Sequence, residues 1–205
     1  RDRSNKFDHE LRVLFSNCTE EHLQKPSSLC LTAVGGFGRG ELAPGSDLDI
    51  LILHDGSESE DAISNFVNSF LYPLWDSGIS IDHSVRTRNQ TKEIAQSDIR
   101  VALGLLDIRY ISGNEDLFSS VSSDAIEGWR KGKNRYLPQL RKSIQDRESR
   151  FGELAFLLEP DLKEARGGLR DINAIRAIEK SGVVTVSLAR LAESEALLSN
   201  VRDVL

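Results

Sequence analysis

A short apolar run preceded by two aspartates limits the folds open to this chain more than any other feature. Residues 50–53 are Ile, Leu, Ile and Leu, which is typical of a central strand buried on both faces of a sheet. Asp47 and Asp49 stand at its start. Residues i and i+2 of a strand point to one face with Cα atoms about 6.6 Å apart, so both carboxylates can reach one hard cation. Because turn residues 44–46 precede them, a pair of solvated turn aspartates is the alternative.

A glycine-rich loop comes shortly before this strand. Residues 35–40 contain four glycines and follow an apolar run at 29–34 that predicts another strand. Glycine lets backbone N–H groups approach an anion closely, so the loop suits a phosphate. It is not a P-loop, because Glu41 and Leu42 replace the required Lys and Ser/Thr. A dinucleotide fingerprint would need glycine at position 41, so that motif is excluded too. A tight turn without a ligand is the alternative.

A third carboxylate, Asp82, lies on another predicted strand. Apolar and polar residues alternate over 79–84, which is the pattern of a strand. A carboxylate there could bind a second metal and help deprotonate an attacking hydroxyl, with the two metals about 4 Å apart. An exposed strand aspartate is the equal alternative. A phosphate loop combined with converging carboxylates is what metal-dependent nucleotidyl transfer requires.

The pattern of the chain changes after about residue 87. Helical spacing of apolar residues predicts helices over 4–25 and 59–75, and helical periodicity dominates the second half. We therefore expect an α/β catalytic domain over 1–97 and a helical domain over 98–205. A minor alternative adds an edge strand at 106–111. The expected helix breakers of the second half are Gly113, Gly128, Gly132, Pro138, Pro160, Gly167 and Gly168.

Composition narrows the class of partner. The chain of 205 residues has 26 basic and 32 acidic side chains, a net charge of −6, which argues against general nucleic-acid binding. No apolar stretch is long enough to cross a bilayer, and residues 1–10 are too charged for a signal peptide. Two cysteines, Cys18 and Cys30, are expected to be buried free thiols in a reducing compartment. We therefore expect a cytoplasmic protein without a membrane or nucleic-acid partner.

Several stretches together carry a resemblance to a known family. They run through most of the chain, at 35–42, 45–49, 74–76, 83–87, 105–109 with Gly113, and 159–171. The glycine turn, the Asp-x-Asp strand and the later strand aspartate resemble the DNA polymerase beta-like nucleotidyltransferase superfamily. Within it, the chain is similar to the amino-terminal part of the bacterial PII-protein uridylyltransferase/uridylyl-removing enzymes. The implied fold is α+β, a small sheet with flanking helices followed by an all-helical domain.

The resemblance also implies an activity and a set of site residues. The activity is Mg²⁺-dependent transfer of UMP or AMP from UTP or ATP to a tyrosine of the PII nitrogen-regulatory protein, with release of pyrophosphate. Gly35 and Gly36 would cradle the triphosphate. Asp47, Asp49 and Asp82 would be the catalytic triad and would hold Mg²⁺, two ions in the usual scheme.

Two further residues join the predicted nucleotide site. Arg39 could neutralise a phosphate or pair with Glu41. Ser46 could cap its turn or touch the metal site. The family often has glycine where this chain has Asp82; in this the chain is similar to actinobacterial members, some of which are adenylyltransferases, so the transferred base is open.

Two alternative functions are compatible with the same fold but differ in their chemistry. One is a non-catalytic nucleotide-binding regulatory module. Another is a nucleotidyltransferase with an amino-group or antibiotic acceptor, which the segment 167–171 disfavours. The family's downstream HD phosphohydrolase and ACT sensor domains have no counterpart in this sequence, so we expect it to be part of a longer protein.

Overall fold

A computed structural model describes residues 2–159, 161–187 and 189–204. It divides into two compact units, Arg1–Ala125 and Ile126–Leu205. Within the described ranges, every helix falls short of the combination of length and apolar character that a membrane span requires.

The first unit alternates strands with helices. Its strands are β1 (Leu29–Ala33), β2 (Leu48–His54), β3 (Ile81–Thr87) and β4 (Arg109–Gly113). Its helices are α1 (Asp2–His22), the single turn α2 (Gly35–Gly38), α3 (Glu60–Asp76), α4 (Arg88–Ser97) and α5 (Ile99–Leu105); α6 (Glu115–Lys131) begins in this unit and ends in the next.

The four strands form one sheet in the order β3-β2-β1-β4. The pairs β1–β2 and β1–β4 are antiparallel, and β2–β3 is parallel, with α3 as the crossover. Parallel strands begin at the same edge, and β1 ends at that edge because it runs the other way. The turn after β1 and the starts of β2 and β3 are therefore neighbours.

Both faces of the sheet are covered by apolar side chains. On one face, Phe15 of α1 packs edge-on against Phe66 and Phe70 of α3, with ring centroids 5.4 and 6.2 Å apart. On the other face, Leu51 and Leu53 of β2 pack with residues of α5 and α6. Strand β2 is buried on both faces, as its unbroken apolar run predicts.

Both cysteines are buried and unpaired, as expected from their number and spacing. Burial, with a contribution from Glu115, raises the pKa of Cys30 to about 12. Burial likewise raises the pKa of Cys18, with a smaller contribution from Glu21. Both thiols are therefore harder to ionise in the folded chain than a free cysteine.

The second unit is built from helices in the described residues, with one isolated bridge between Glu153 and Arg166. Its elements after α6 are α7 (Lys133–Phe151), α8 (Leu169–Lys180) and α9 (Ala189–Val204). Trp129 is buried, stacks on Tyr136 at 4.8 Å between centroids, and donates from Nε1 to the Ala177 carbonyl at 2.8 Å.

The α+β prediction is confirmed. The compact units, however, divide between Ala125 and Ile126, whereas the sequence placed the boundary between 97 and 98. The physical reason is β4, the strand that the sequence offered as a minor alternative, which pairs with β1 and draws α5 into the first unit. Gly128 lies inside α6 and Pro138 inside α7, so neither is a breaker. Pro160 lies outside the described residues.

Candidate active site

The predicted site residues come together at one edge of the sheet, where β1 ends and β2 and β3 begin. Asp49 and Asp82 are direct register partners on the parallel pair β2–β3. Paired residues of neighbouring strands point to the same face, and adjacent strands lie about 4.8 Å apart. The two carboxylates, called here the carboxylate pair, are therefore held side by side by the backbone. Asp49 is half-buried, and Asp82 is exposed on the edge strand.

Residues 35–40, called here the glycine loop, contact the carboxylate pair through Asp49. The Val34 N–H donates to the Asp49 carbonyl at 3.0 Å. Gly35 has φ +56°, and a Cβ at this position would lie 2.9 Å from Asp49 Oδ2. The backbone conformation favours glycine here, and a Cβ would also force the Asp49 carboxylate to shift. Gly36 follows in the same helical turn, and its carbonyl accepts from the Glu41 N–H at 2.9 Å.

Asp47 and Ser46 lie in the exposed connection that leads into β2. Asp47 comes one residue before the strand and is exposed. Ser46 closes a turn: its N–H donates to the Ala43 carbonyl at 3.1 Å, and its Oγ accepts from the Ala43 N–H at 3.2 Å. The structure therefore shows the turn-capping role for Ser46, while its proximity to a metal stays a prediction.

Arg39 is held by two carboxylates. Its Nε donates to Glu41 Oε2 at 2.7 Å and its Nη1 to Asp107 Oδ2 at 2.8 Å. Burial lowers the pKa of Arg39, and the two acidic partners more than offset that effect, so the net shift is upward. The pair with Glu41 was the sequence-based alternative to a phosphate contact. A phosphate role for Arg39 stays a prediction and would require it to leave or share these partners.

The carboxylate pair suits a hard divalent cation such as Mg²⁺, which prefers oxygen ligands and is commonly bound through one or two carboxylates plus substrate phosphates. In the described ranges, no group of three His, Cys, Asp or Glu side chains lies close enough together to hold a metal ion. The structure thus brings two of the predicted ligands, Asp49 and Asp82, side by side but does not gather Asp47 into a three-ligand cluster. The described residues therefore supply two of the three predicted carboxylate ligands of the cation, with the glycine loop beside them.

Sequence reasoning missed the residues that support the glycine loop from behind. Arg109 donates from Nε to the Gly38 carbonyl and from Nη2 to the Phe37 carbonyl, both at 3.1 Å. Asp107 holds Arg39 and packs its carbonyl against Gly38. The available signal was the stretch 105–109, which resembles the family but has no role that spacing alone could assign.

The chain is similar to known proteins, and one match identifies its class of enzyme. Residues 16–118 match the family model described as a nucleotidyltransferase domain, which covers the sheet, the glycine loop and the carboxylate pair. The chain belongs to the nucleotidyltransferase domain family, and its assignment to that class of enzyme is confirmed.

A second family model and several individual proteins are also similar to the chain. Residues 135–205 match the family model described as GlnD PII-uridylyltransferase. The chain is 47% identical to a bifunctional uridylyltransferase/uridylyl-removing enzyme of Streptomyces coelicolor, over 97% of this chain and 23% of the relative. Proteins with the same description from Mycobacterium tuberculosis and Corynebacterium glutamicum are 39% and 32% identical, over 80% and 88% of the chain and 20% and 25% of the relatives.

These matches confirm the resemblance to the bacterial PII-protein uridylyltransferases that the sequence motifs indicate. The chain spans about a fifth to a quarter of the length of these curated relatives.

Proposed function

We propose that the protein transfers a nucleoside monophosphate from a nucleoside triphosphate to a tyrosine hydroxyl of a PII signalling protein and releases pyrophosphate. In this step the tyrosine oxygen forms a bond to the α-phosphorus, and the bond from that phosphorus to the pyrophosphate breaks. The observation that carries the proposal is the register pairing of Asp49 with Asp82 beside the glycine loop, in a chain of this family.

Each site residue has a stated task in the proposal. Gly35 and Gly36 let the backbone of the glycine loop lie close to the triphosphate. Asp47, Asp49 and Asp82 would hold Mg²⁺, in two ions, which when bound would neutralise charge on the entering and leaving oxygens. Asp82, which is exposed on the edge strand, would also accept the proton of the incoming hydroxyl.

The names of the relatives favour UTP as the donor. All three are described as uridylyltransferases. The aspartate at position 82, where the family often has glycine, keeps ATP as the second donor to be tested. The same names favour a PII protein as the acceptor, since one matching family model is described as a PII-uridylyltransferase.

A cytoplasmic location completes the proposal. Two buried, unpaired cysteines suit a reducing compartment. The net charge of −6 suits a protein acceptor better than a nucleic acid, whose backbone would repel an acidic surface.

The test uses the full-length protein with a PII protein, Mg²⁺ and either UTP or ATP, read by intact mass. We expect the acceptor to gain one nucleotide, whose mass identifies the base. Asp49→Asn and Asp82→Asn should abolish the gain, whereas Asp61→Asn, an exposed carboxylate in the first turn of α3, should not change it.

Other results would change the proposal in distinct ways. Incorporation by Asp49→Asn at the wild-type rate would contradict the site. Tight nucleotide binding without transfer to any acceptor would instead support the alternative, a regulatory nucleotide-binding module.

A further inference from the structure

The motif at 105–113 takes no part in the proposed chemistry, yet it contacts the glycine loop directly. Arg109 is the first residue of β4 and pairs in register with Ala33, the last residue of β1. The glycine loop begins two residues after Ala33. Arg109 is thus placed behind the loop, at the edge of the sheet where the loop leaves it.

The Arg109 guanidinium makes four hydrogen bonds. Two go to the loop, from Nε to the Gly38 carbonyl and from Nη2 to the Phe37 carbonyl, both at 3.1 Å. Two go to Asp8 of α1, at 2.5 and 3.1 Å. The guanidinium carbon also lies 5.2 Å from the centroid of the buried Phe37 ring. This arrangement fixes the whole plane of the guanidinium.

Asp8 orients Arg109 through both carboxylate oxygens. It is 6% exposed and lies on α1, more than a hundred residues before Arg109 in sequence. A bidentate carboxylate is the geometry that the planar guanidinium fork matches best. A buried carboxylate on a helix and an arginine on an edge strand are therefore joined to hold two backbone carbonyls.

The held carbonyls belong to an element that is weak on its own. The helical turn Gly35–Gly38 contains three glycines, and glycine is the least favourable residue in a helix after proline. A single turn also costs more backbone order than its hydrogen bonds return. The Phe37 carbonyl already accepts from the Gly40 N–H at 3.1 Å, and Arg109 adds a side-chain donor to it and to the Gly38 carbonyl. The position of this turn is thus set by tertiary contacts.

A second contact from the same motif fixes the turn from the side. A Cβ at Gly38 would lie 2.1 Å from the Asp107 carbonyl oxygen, so the turn and the Asp107 backbone are in direct contact. The Asp107 carboxylate holds Arg39, as described above.

We propose that Arg109, oriented by Asp8, is a positioning residue that holds the glycine loop in the place where it receives the triphosphate beside Asp49. This inference rests on the proposed function. It adds α1 and β4 to the nucleotide site: neither element carries a residue that would touch the nucleotide, and both determine where the loop lies.

The matched control is Arg12. It lies one helical turn after Asp8 on α1 and donates from Nε to the Ile111 carbonyl of β4 at 2.8 Å. Arg12 thus joins the same two elements without touching the glycine loop. The variants are Arg109→Lys, Asp8→Asn and Arg12→Lys in the full-length protein.

Two measurements are made on each variant. The first is the KM for UTP or ATP and, separately, the KM for the acceptor protein. We expect Arg109→Lys to raise the nucleotide KM by about tenfold or more, because a small displacement of a binding element is costly. Its acceptor KM should stay unchanged. Asp8→Asn keeps one acceptor oxygen and should give a smaller rise, and Arg12→Lys none.

The second measurement is hydrogen exchange at the amides of residues 38–41, whose N–H groups donate to the carbonyls of residues 34–37. We expect faster exchange there in Arg109→Lys and wild-type exchange in Arg12→Lys. An unchanged nucleotide KM in Arg109→Lys overturns the positioning role, whatever the exchange rates. A wild-type protein that binds neither triphosphate overturns the proposed function itself, and the exchange data then still show whether Arg109 holds the loop.

Discussion

Asp49 and Asp82 are register partners on the parallel strands β2 and β3, so the backbone holds two carboxylates next to each other at the start of both strands. Like charges placed directly opposite on a sheet are destabilising. A cation bound between the two carboxylates would offset their repulsion and so stabilise the folded chain. This relationship leads to a prediction that needs no acceptor protein.

Mg²⁺ is predicted to stabilise the wild-type chain against heat and to leave Asp49→Asn unaffected. A ligand at a hundred times its dissociation constant adds about 2.7 kcal/mol to the free energy of unfolding. For a chain of this size, that corresponds to a rise in Tm of about 5–10 °C. Without Mg²⁺, Asp49→Asn should be at least as stable as wild type, because one repelling charge is gone. Differential scanning calorimetry with and without Mg²⁺ measures both effects.

The control for the metal prediction is Asp61→Asn, which removes an exposed carboxylate from the first turn of α3 and should respond to Mg²⁺ as wild type does. If Asp49→Asn gains the same Tm from Mg²⁺ as wild type, the ion binds elsewhere and the carboxylate pair is not its site.

Much of this site could be predicted from sequence because its signals are local. The apolar run after Asp49 identifies a buried strand, the glycines at 35–40 identify a tight turn, and alternation around Asp82 identifies a strand. Local patterns do not give strand pairing. That Asp82 lies opposite Asp49, and not one residue away on the other face, follows from a register that only the folded sheet shows.

The features that sequence reasoning missed or undervalued depend on contacts between distant residues. Strand β4 is five residues long and only partly buried, so its apolar pattern is weak, yet its pairing with β1 extends the first unit beyond residue 97. The Asp8–Arg109 pair joins α1 to β4, and no spacing rule relates them. Pro138 failed as a breaker although, as the sixth residue of α7, it removes one backbone hydrogen bond of the helix.

The free energy of unfolding is predicted to decrease as the pH is lowered below about 6.5, because of His54. Burial lowers the pKa of this histidine below 6.5, partly offset by Asp55. Below about pH 6.5 the unfolded chain therefore binds the proton more readily than the folded chain, so the free energy of unfolding decreases as pH falls toward the folded-state pKa. Above pH 6.5 the contribution is complete. Urea unfolding at pH 7.5 and pH 5.5 measures the difference, which His54→Gln should reduce.

His9→Gln is the control for the pH prediction. His9 is exposed on α1, so its loss should leave the wild-type difference between the two pH values intact. Equal differences in wild type and His54→Gln would assign the pH dependence to another group.

Asp171 is predicted to stabilise the second unit. It accepts a hydrogen bond from the mostly buried Arg147 guanidinium and another from the Gly167 N–H at 2.7 Å, so it joins α7 to the turn before α8. Asp171→Ala leaves a buried guanidinium without this partner, and the expected cost is about 3 kcal/mol. Thermal unfolding followed by Trp129 fluorescence, in a Trp75→Phe background, reports on this unit.

An exposed ion pair of the second unit provides the comparison. Lys131 bonds Glu127 at 2.6 Å on the surface of α6, and Lys131→Ala should cost less than about 0.5 kcal/mol. Equal costs for Lys131→Ala and Asp171→Ala would show that the Arg147 contact contributes no more than a surface pair.

Gly35→Ala is predicted to slow nucleotide transfer about a hundredfold at a modest cost in stability. The residue has φ +56°, where an alanine costs about 1–2 kcal/mol. The new Cβ would also lie 2.9 Å from Asp49 Oδ2, so the loop or the carboxylate must move. Displacing a reacting group by about 1 Å can reduce a rate about a hundredfold. Transfer to the acceptor protein, read by intact mass over time, measures the rate.

Gly56→Ala separates strain from displacement. Gly56 has φ +83° in the turn after β2, and a Cβ there would meet open space. The Gly56→Ala variant should therefore lose only about 1–2 kcal/mol, which is what backbone strain costs, and it should retain transfer.

A double variant, Gly35→Ala with Asp49→Ala, should be more stable than Gly35→Ala alone, because the clash with the carboxylate is gone. It should not recover transfer, because the carboxylate is missing. If Gly35→Ala and Gly56→Ala have equal transfer rates, contact between the glycine loop and Asp49 is not needed for the reaction.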